Sequence, residues 1–189
     1  MKTVAGLLAL LALALACEAR PPTYRQDEVP SELREAVAAA DGAITMLQQK
    51  LAARLGEALA EGGPAGAAVV CSEEAQALTA AAVRESGLAV GRTSHRIRNP
   101  TNAPPSWARP HVDAAVRAGA GEPLVVRLDD RVGVLRPIVV AAPCLQCHGA
   151  PERIDPTVRE TLRAAYPDDR ATGFVEGDLR GFFWAEAPL

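Results

Sequence analysis

The chain has 189 residues, of which 49% are apolar and 23% charged, with 20 basic against 23 acidic residues and a formal net charge of -3. That length suits one domain with or without a short leader. The apolar share excludes wholesale disorder and collagen-like repetition, and the lack of a basic excess argues against a nucleic-acid partner. Aromatic residues are only 4% of the chain, so the core must come mainly from Leu, Val, Ile and Ala, and four cysteines are too few and too unevenly placed for a disulfide-dense scaffold.

Residues 1–16 read MKTVAGLLALLALALA. Lys2 gives a short positive start, and an unbroken run of Ala, Gly and Leu follows that is too short to span a bilayer. This is the pattern of a signal peptide; a buried N-terminal helix is the alternative. Ala14-Leu15-Ala16 offers small residues for cleavage, and Cys17 stands immediately after, as in lipoprotein processing, with Cys17 as the lipidated residue. Ala14 departs from the consensus, which has Leu, Val or Ile there. The expected location is the periplasm or another extracytoplasmic space, with a lipid anchor on the membrane surface; plain cleavage to a soluble form is the alternative. Residues 17–30 are polar and Pro-rich and read as a tether. The domain is expected over residues 31–187.

Ser31 is a plausible N-cap, after which Leu33, Val37, Ala40, Ile44, Leu47, Leu51, Leu55 and Leu59 recur at three- and four-residue steps. That is one apolar stripe on a helix of about 28 residues, stopped by Gly62-Gly63-Pro64. A long helix of this kind can pair two copies of the chain or pack on its own domain. Residues 65–70 form a short apolar piece; Ser72 with Glu73 and Glu74 predicts the start of a second helix ending near Gly87. Residues 88–97 read as a strand, and residues 98–110, with four Pro and two Asn, as an ordered loop. A short helix over residues 111–118 precedes two strands, 124–128 and 132–141, joined at Asp129-Asp130. Pro137 predicts an edge or a bulge in the second strand. Asp155 caps a helix from Pro156 to Ala165, and the chain closes in a strand around Phe182-Phe183-Trp184. The order is that of an α+β domain.

Cys144-Leu145-Gln146-Cys147-His148 is a C-x-x-C-H sequence, the attachment signature of c-type haem. Two thiols three residues apart can each add to a vinyl group on one edge of the porphyrin, and the adjacent His reaches the iron from one face. Export strengthens this reading, because haem is attached covalently outside the cytoplasm. Three alternatives compete: a thioredoxin-type dithiol, a zinc site using Cys71, Cys144, Cys147 and His148, and a structural Cys144–Cys147 disulfide. Met46, Cys71, His95 and His111 are candidates for a second axial ligand, and composition does not choose among them. His95 reads as surface-exposed.

The chain resembles the bacterial and cyanobacterial c-type haem domains of PAS-like fold, which occur alone as exported cytochromes and as extracytoplasmic sensor modules of histidine kinases. The matching pieces are Val70-Cys71; Arg92-Thr93-Ser94 with residues 98–104; Pro137-Ile138 leading into residues 144–149; residues 166–174; and residues 177–181. The resemblance implies a PAS-like antiparallel sheet with flanking helices, one haem c thioether-linked to Cys144 and Cys147, and His148 as proximal ligand. It further implies Cys71 as distal ligand, and an anionic thiolate there would lower the reduction potential. Ferrous iron releasing Cys71 would open a site for a gas or a redox signal. The loop over residues 98–107, with Asn99 and Trp107, is expected to wrap the haem, and Arg92, Arg96 and Arg98 are candidates for its propionates. Two functions are compatible with this: electron transfer at the membrane surface, or a haem-based redox or gas sensor acting through a partner protein, since only Pro188-Leu189 follow Ala187 and no output domain is visible. No second constellation of Ser, His and Asp or Glu points to an enzyme.

Overall fold

A computed structural model describes residues 21–119 and 121–189. The expected leader and Cys17 lie outside these residues. No helix among the described residues is long and apolar enough to cross a membrane.

The fold is α+β. A 5-stranded antiparallel sheet has the order β1-β3-β4-β5-β2, with β1 at Thr23–Arg25, β2 at Ala89–Thr93, β3 at Leu124–Arg127, β4 at Arg131–Val139 and β5 at Leu179–Pro188. Alternation along the strands gives the sheet two apolar faces. Val132, Val134, Ala185 and Ala187 point to one side, where they meet Val37, Ala40, Ile44 and Leu47 of the long helix α1, Arg34–Glu73. Leu135 and Phe182 point to the other, against Trp107 and, in the helix α3, Arg109–Ala118, against Val112. The stripe from Leu33 to Leu47 is thus buried within the chain itself, which removes the reason to expect a dimer through this helix.

The domain begins earlier than residue 31. Tyr24 pairs with Val125, Pro22 accepts a hydrogen bond from the Arg127 N–H (2.9 Å), and Val29 is buried. The prolines of this stretch do not exclude it from the sheet, because an edge strand needs only one of its two rows of hydrogen bonds.

The first helix stops where Gly62-Gly63-Pro64 predicts, but the chain resumes as helix directly beyond it. Within α1 only Gly63 leaves helical geometry, at φ 61° and ψ -161°. The chain reverses there. Arg54 Nε and Nη2 donate to the Glu74 carboxylate at 2.7 and 2.8 Å, whereas twenty residues of straight helix span about 30 Å. Residues 65–70, read as a short apolar piece, form a helical return that buries Ala67 and Val70 against Leu55, Ala58 and Leu59. Alanine content favours that helix, and Pro64 in its first turn needs no partner for its missing N–H. Ser72 does not start the next helix: its hydroxyl donates to the Val69 carbonyl (2.8 Å), and α2, Ala75–Ser86, begins after Glu74.

The strand expected over residues 88–97 ends at Thr93, because the Ser94 hydroxyl bends the chain by accepting from the Arg96 N–H (3.0 Å). Pro137 sits where β3 has already ended, and the β4–β5 register breaks just beyond it, between Ile138 and Val139. Asp155 caps α5, Pro156–Ala165, by accepting from the Thr157 N–H at 2.8 Å.

Neighbouring glycines at the reversal are expected to respond oppositely to alanine. Gly63→Ala forces a side chain into a conformation that costs about 1–3 kcal/mol. Gly62→Ala adds a Cβ that meets nothing within 4 Å and stabilises by up to about 1 kcal/mol. Urea unfolding of the two variants checks the signs.

Candidate functional site

A cavity of about 420 Å³ opens between the α1 reversal and the β2 end of the sheet, within the usual size range of cofactor pockets. Leu51 and Leu55 of α1 and Phe183 of β5 give it apolar walls, and Cys71, Cys144 and His148 line it from distant parts of the sequence.

The Cys144-to-His148 segment leaves the sheet as a 3-10 turn, Ala142–Cys144, followed by the single-turn helix α4, Leu145–His148. Helical spacing of three and four residues puts Cys144, Cys147 and His148 on adjoining positions of one face. Gly149 is extended and Pro151 comes two residues later, so no longer helix starts here, as a thioredoxin-type dithiol would require. Cys144 and His148 face the cavity. Cys147 packs against the cluster of Ala68, Ile154, Val158, Leu162 and Tyr166, and burial pushes its thiol pKa up. All three described cysteines are free thiols. Among the described residues no three His, Cys, Asp or Glu side chains gather as a metal-ion site, which leaves the zinc reading without support.

His148 is oriented by a hydrogen bond from Nδ1 to the Ala171 carbonyl (2.7 Å). A carbonyl only accepts, so Nδ1 carries the proton and Nε2 keeps a free lone pair. Burial, and after it the charges of Arg180 and Arg98, push the His148 pKa down to about 3. The ring is therefore neutral at ordinary pH, the state in which imidazole binds a metal.

Of the four second-ligand candidates, Cys71 alone lines the cavity. Met46 packs against the main core, His95 stands edge-on to Phe174 at 6.0 Å, and His111 belongs to α3. His95 is half-buried rather than exposed, and its Nδ1 is buried without a hydrogen-bond partner. Cys71 lies in the last turn of α1, where a carbonyl lacks a helical partner; the Tyr166 hydroxyl donates to it at 2.8 Å. Tyr166 thereby joins Cys71 to the apolar cluster against which Cys147 packs.

The arginines divide. Arg98 is only 8% exposed, and its guanidinium donates to Asp169 Oδ2 (2.9 Å) and to the carbonyls of Cys147 (2.6 Å) and Ala171 (3.3 Å). It lines the cavity but is committed to holding the motif in place. Arg96 donates to the Arg170 carbonyl (3.0 Å) and lies over the Phe174 ring at 4.2 Å, outside the cavity lining. Arg92 lines the cavity with a buried Nε that has no partner. Asn99 also lines it, capping the turn Pro100–Asn102 by accepting from the Thr101 N–H (3.0 Å). Trp107 corrects an expectation: its ring stacks on Gly133 on the opposite face of the sheet, and its Nε1 donates to Glu186 (2.8 Å). A glycine in β4 opens the slot that a large ring fills there. Arg180 and Tyr166 line the cavity although neither stands out as a site residue in the sequence.

The buried Nε atoms of Arg92 and Arg180 lack a partner that an anionic group would supply. Thiols spaced for thioether links, a neutral imidazole, apolar walls and two guanidiniums whose buried Nε atoms lack partners suit haem c, and the C-x-x-C-H spacing matches its attachment motif.

Sheet order, flanking helices and this cavity define a PAS-like domain. A model of the Tll0287-like family (Tll0287) matches residues 24–188, and the chain belongs to that family. Among solved structures, the crystal structure of the cyanobacterial heme-protein Tll0287 superposes with a TM-score of 0.57 at 24% identity, covering 85% of this chain and 96% of that one. None of the curated proteins matches.

Removing the carboxylate beneath the motif is expected to destabilise the domain. Asp169→Asn leaves the Arg98 charge buried and costs on the order of 3 kcal/mol. The exposed neighbour serves as control, since Asp168→Asn stays within about 0.5 kcal/mol. Urea midpoints of the two variants make the comparison.

Proposed function

We propose that the chain is an exported c-type haem domain that serves as a redox or gas sensor through a protein partner. Cys144 and Cys147 would carry the thioether links, and His148 and Cys71 would hold the iron. When bound, haem supplies one-electron chemistry and, where an axial position opens, small-ligand binding. The observation that carries the reading is the meeting of Cys71 with Cys144 and a neutral His148 in one cavity. The Tll0287 crystal structure, described as that of a heme-protein, supports it.

Sensing is preferred to electron transfer because of where Cys71 sits. A carrier works best with coordination that stays fixed. Cys71 belongs instead to the short helical return beyond Gly63, which is tied back by the Arg54–Glu74 pair and by the Tyr166 hydroxyl. A displacement of Cys71 would reach the long arm of α1 through that ion pair and through the packing of Ala67 and Val70 on Leu55 and Ala58. The apolar leader and Cys17 support export and a lipid anchor, which would place the domain at an extracytoplasmic membrane surface.

Protein produced with intact haem-attachment machinery is expected to carry covalent haem by mass and by haem stain, and to lose it when Cys144 and Cys147 are both replaced by Ala. Colourless protein of bare polypeptide mass would end the haem reading. Cys71→Ala is expected to abolish a thiolate signature in the ferric spectrum; an unchanged spectrum removes Cys71 from the iron. Hydrogen exchange over residues 64–73 that quickens on reduction, with carbon monoxide binding to the ferrous protein, supports sensing. Identical exchange in both oxidation states and no carbon monoxide binding turn the assignment to electron transfer.

A further inference from the structure

Strand β5 delivers an arginine to the cavity by breaking its own alternation. Phe182 and Trp184 pack on the α3 side, while Phe183, Ala185 and Ala187 pack on the α1 side. A regular strand would put Arg180 on the α3 side with Phe182, and Leu179 on the opposite face. Leu179 nevertheless packs on the α3 side with Phe182. The register shows why: Ile138 pairs with Gly181 and Val139 with Leu179, so Arg180 is the extra residue of a bulge, a device that re-aims one side chain. Gly181 makes the bulge feasible, with φ 158° and a backbone so close to the Thr93 carbonyl that a Cβ would clash. The Ser94 hydroxyl fixes the bulge by donating to the Arg180 carbonyl at 2.6 Å.

The side chain placed this way lacks a counter-charge. Its Nη1 donates to the Arg96 carbonyl (3.2 Å), its guanidinium lies 5.4 Å from the Phe174 ring centre, and its Nε is buried and unpartnered. The charged groups that act on it are Arg98, Arg92 and Arg96, with Asp169 as the one carboxylate, and Asp169 is already bonded to Arg98. Arg92, on the same cavity wall, has a buried unpartnered Nε as well. Two guanidiniums lining a partly dehydrated cavity call for an anion, and their planar fork matches carboxylates and phosphates, of which a porphyrin supplies the former.

We propose that Arg180 and Arg92 form a carboxylate receptor in this cavity and take the propionates of the porphyrin, a role that Arg96 and Arg98 do not fill because they are engaged elsewhere. The proposal rests on the haem reading. Its test uses the full chain with Cys144→Ala and Cys147→Ala, so that porphyrin binds without covalent attachment and affinity can be measured. Iron protoporphyrin IX is expected to bind about tenfold or more tighter than its dimethyl ester. Arg180→Gln and Arg92→Gln should each move that ratio toward one, and Arg180→Lys should retain part of it. Equal affinity for acid and ester with both arginines intact overturns the receptor and leaves the haem reading standing. Failure to bind either porphyrin overturns the receptor alone, since the haem reading is decided by covalent attachment in the chain that keeps Cys144 and Cys147. Because the acid-to-ester ratio is read first in the chain that keeps its arginines, the test holds even if a Gln variant fails to fold.

Discussion

The chain reversal at Gly63 decides whether there is a site at all. Up to Gly62 the long helix runs across the sheet with its apolar stripe buried. Had it continued straight, Cys71 would lie about 24 Å along the axis beyond Leu55. Because it turns back, Cys71 and Leu55 line the same cavity. The turn depends on one residue in a conformation that side chains resist, and on the packing of Ala67 and Val70 against Leu55 and Ala58 that offsets its cost.

Charge is arranged around the cavity as deliberately as volume. Arg98 directs its positive charge to Asp169 and to two backbone carbonyls, one of them that of Cys147. It is a buried strut that holds the one-turn helix α4 at a defined height over the sheet. Arg180 and Arg92 have no such carboxylate. Burial favours the neutral form of a cation, and the Arg180 pKa falls to about 10 for that reason first and because of the neighbouring Arg98 charge second. Even so it stays protonated at neutral pH. The same burial and positive surroundings keep His148 neutral. One field thus leaves an imidazole free to act as a ligand and two guanidiniums in need of an anion.

Much of this was legible in the residues because it obeys local rules. The C-x-x-C-H spacing, the Asp155 cap, the Asp129-Asp130 hairpin and the Gly62-Gly63-Pro64 stop depend on a few adjacent positions, and the structure has each of them. What was hidden depends on distant partners. The links that hold Arg98, to Asp169 and Ala171, cross more than seventy residues, so no local pattern sets it apart from Arg92. Trp107 lies in a loop beside candidate site residues, and nothing local announces that Gly133 opens a slot for its ring on the far face. Strand β1 escaped notice because an edge strand of three residues between prolines gives almost no periodic signal. Arg180 did have a signal: a glycine directly after it near the start of a strand, the usual mark of a bulge.

The two halves of the site are held with unequal firmness, and that inequality bears on what the domain does. On the His148 side, backbone hydrogen bonds run from Phe174 to His148 (2.9 Å) and from Gly173 to Gly149 (2.7 Å), Arg98 clamps Cys147, and Ala171 fixes the imidazole. On the Cys71 side, the links to the rest of the domain include the Tyr166 hydroxyl, the packing of Ala68 on Ile154, Val158 and Leu162 and of Val70 on Ala58, and an Arg54–Glu74 pair that solvent partly reaches, with no backbone clamp among the described residues of the kind that holds His148. Salt and water weaken such a pair, so the return segment should open at lower free energy than the motif opposite it. A firmly held imidazole and a less firmly held thiol in one cavity give an asymmetric site. Under the proposed sensor reading, a change of oxidation state or a competing ligand would act first on the Cys71 side, which is covalently continuous with the long arm of α1.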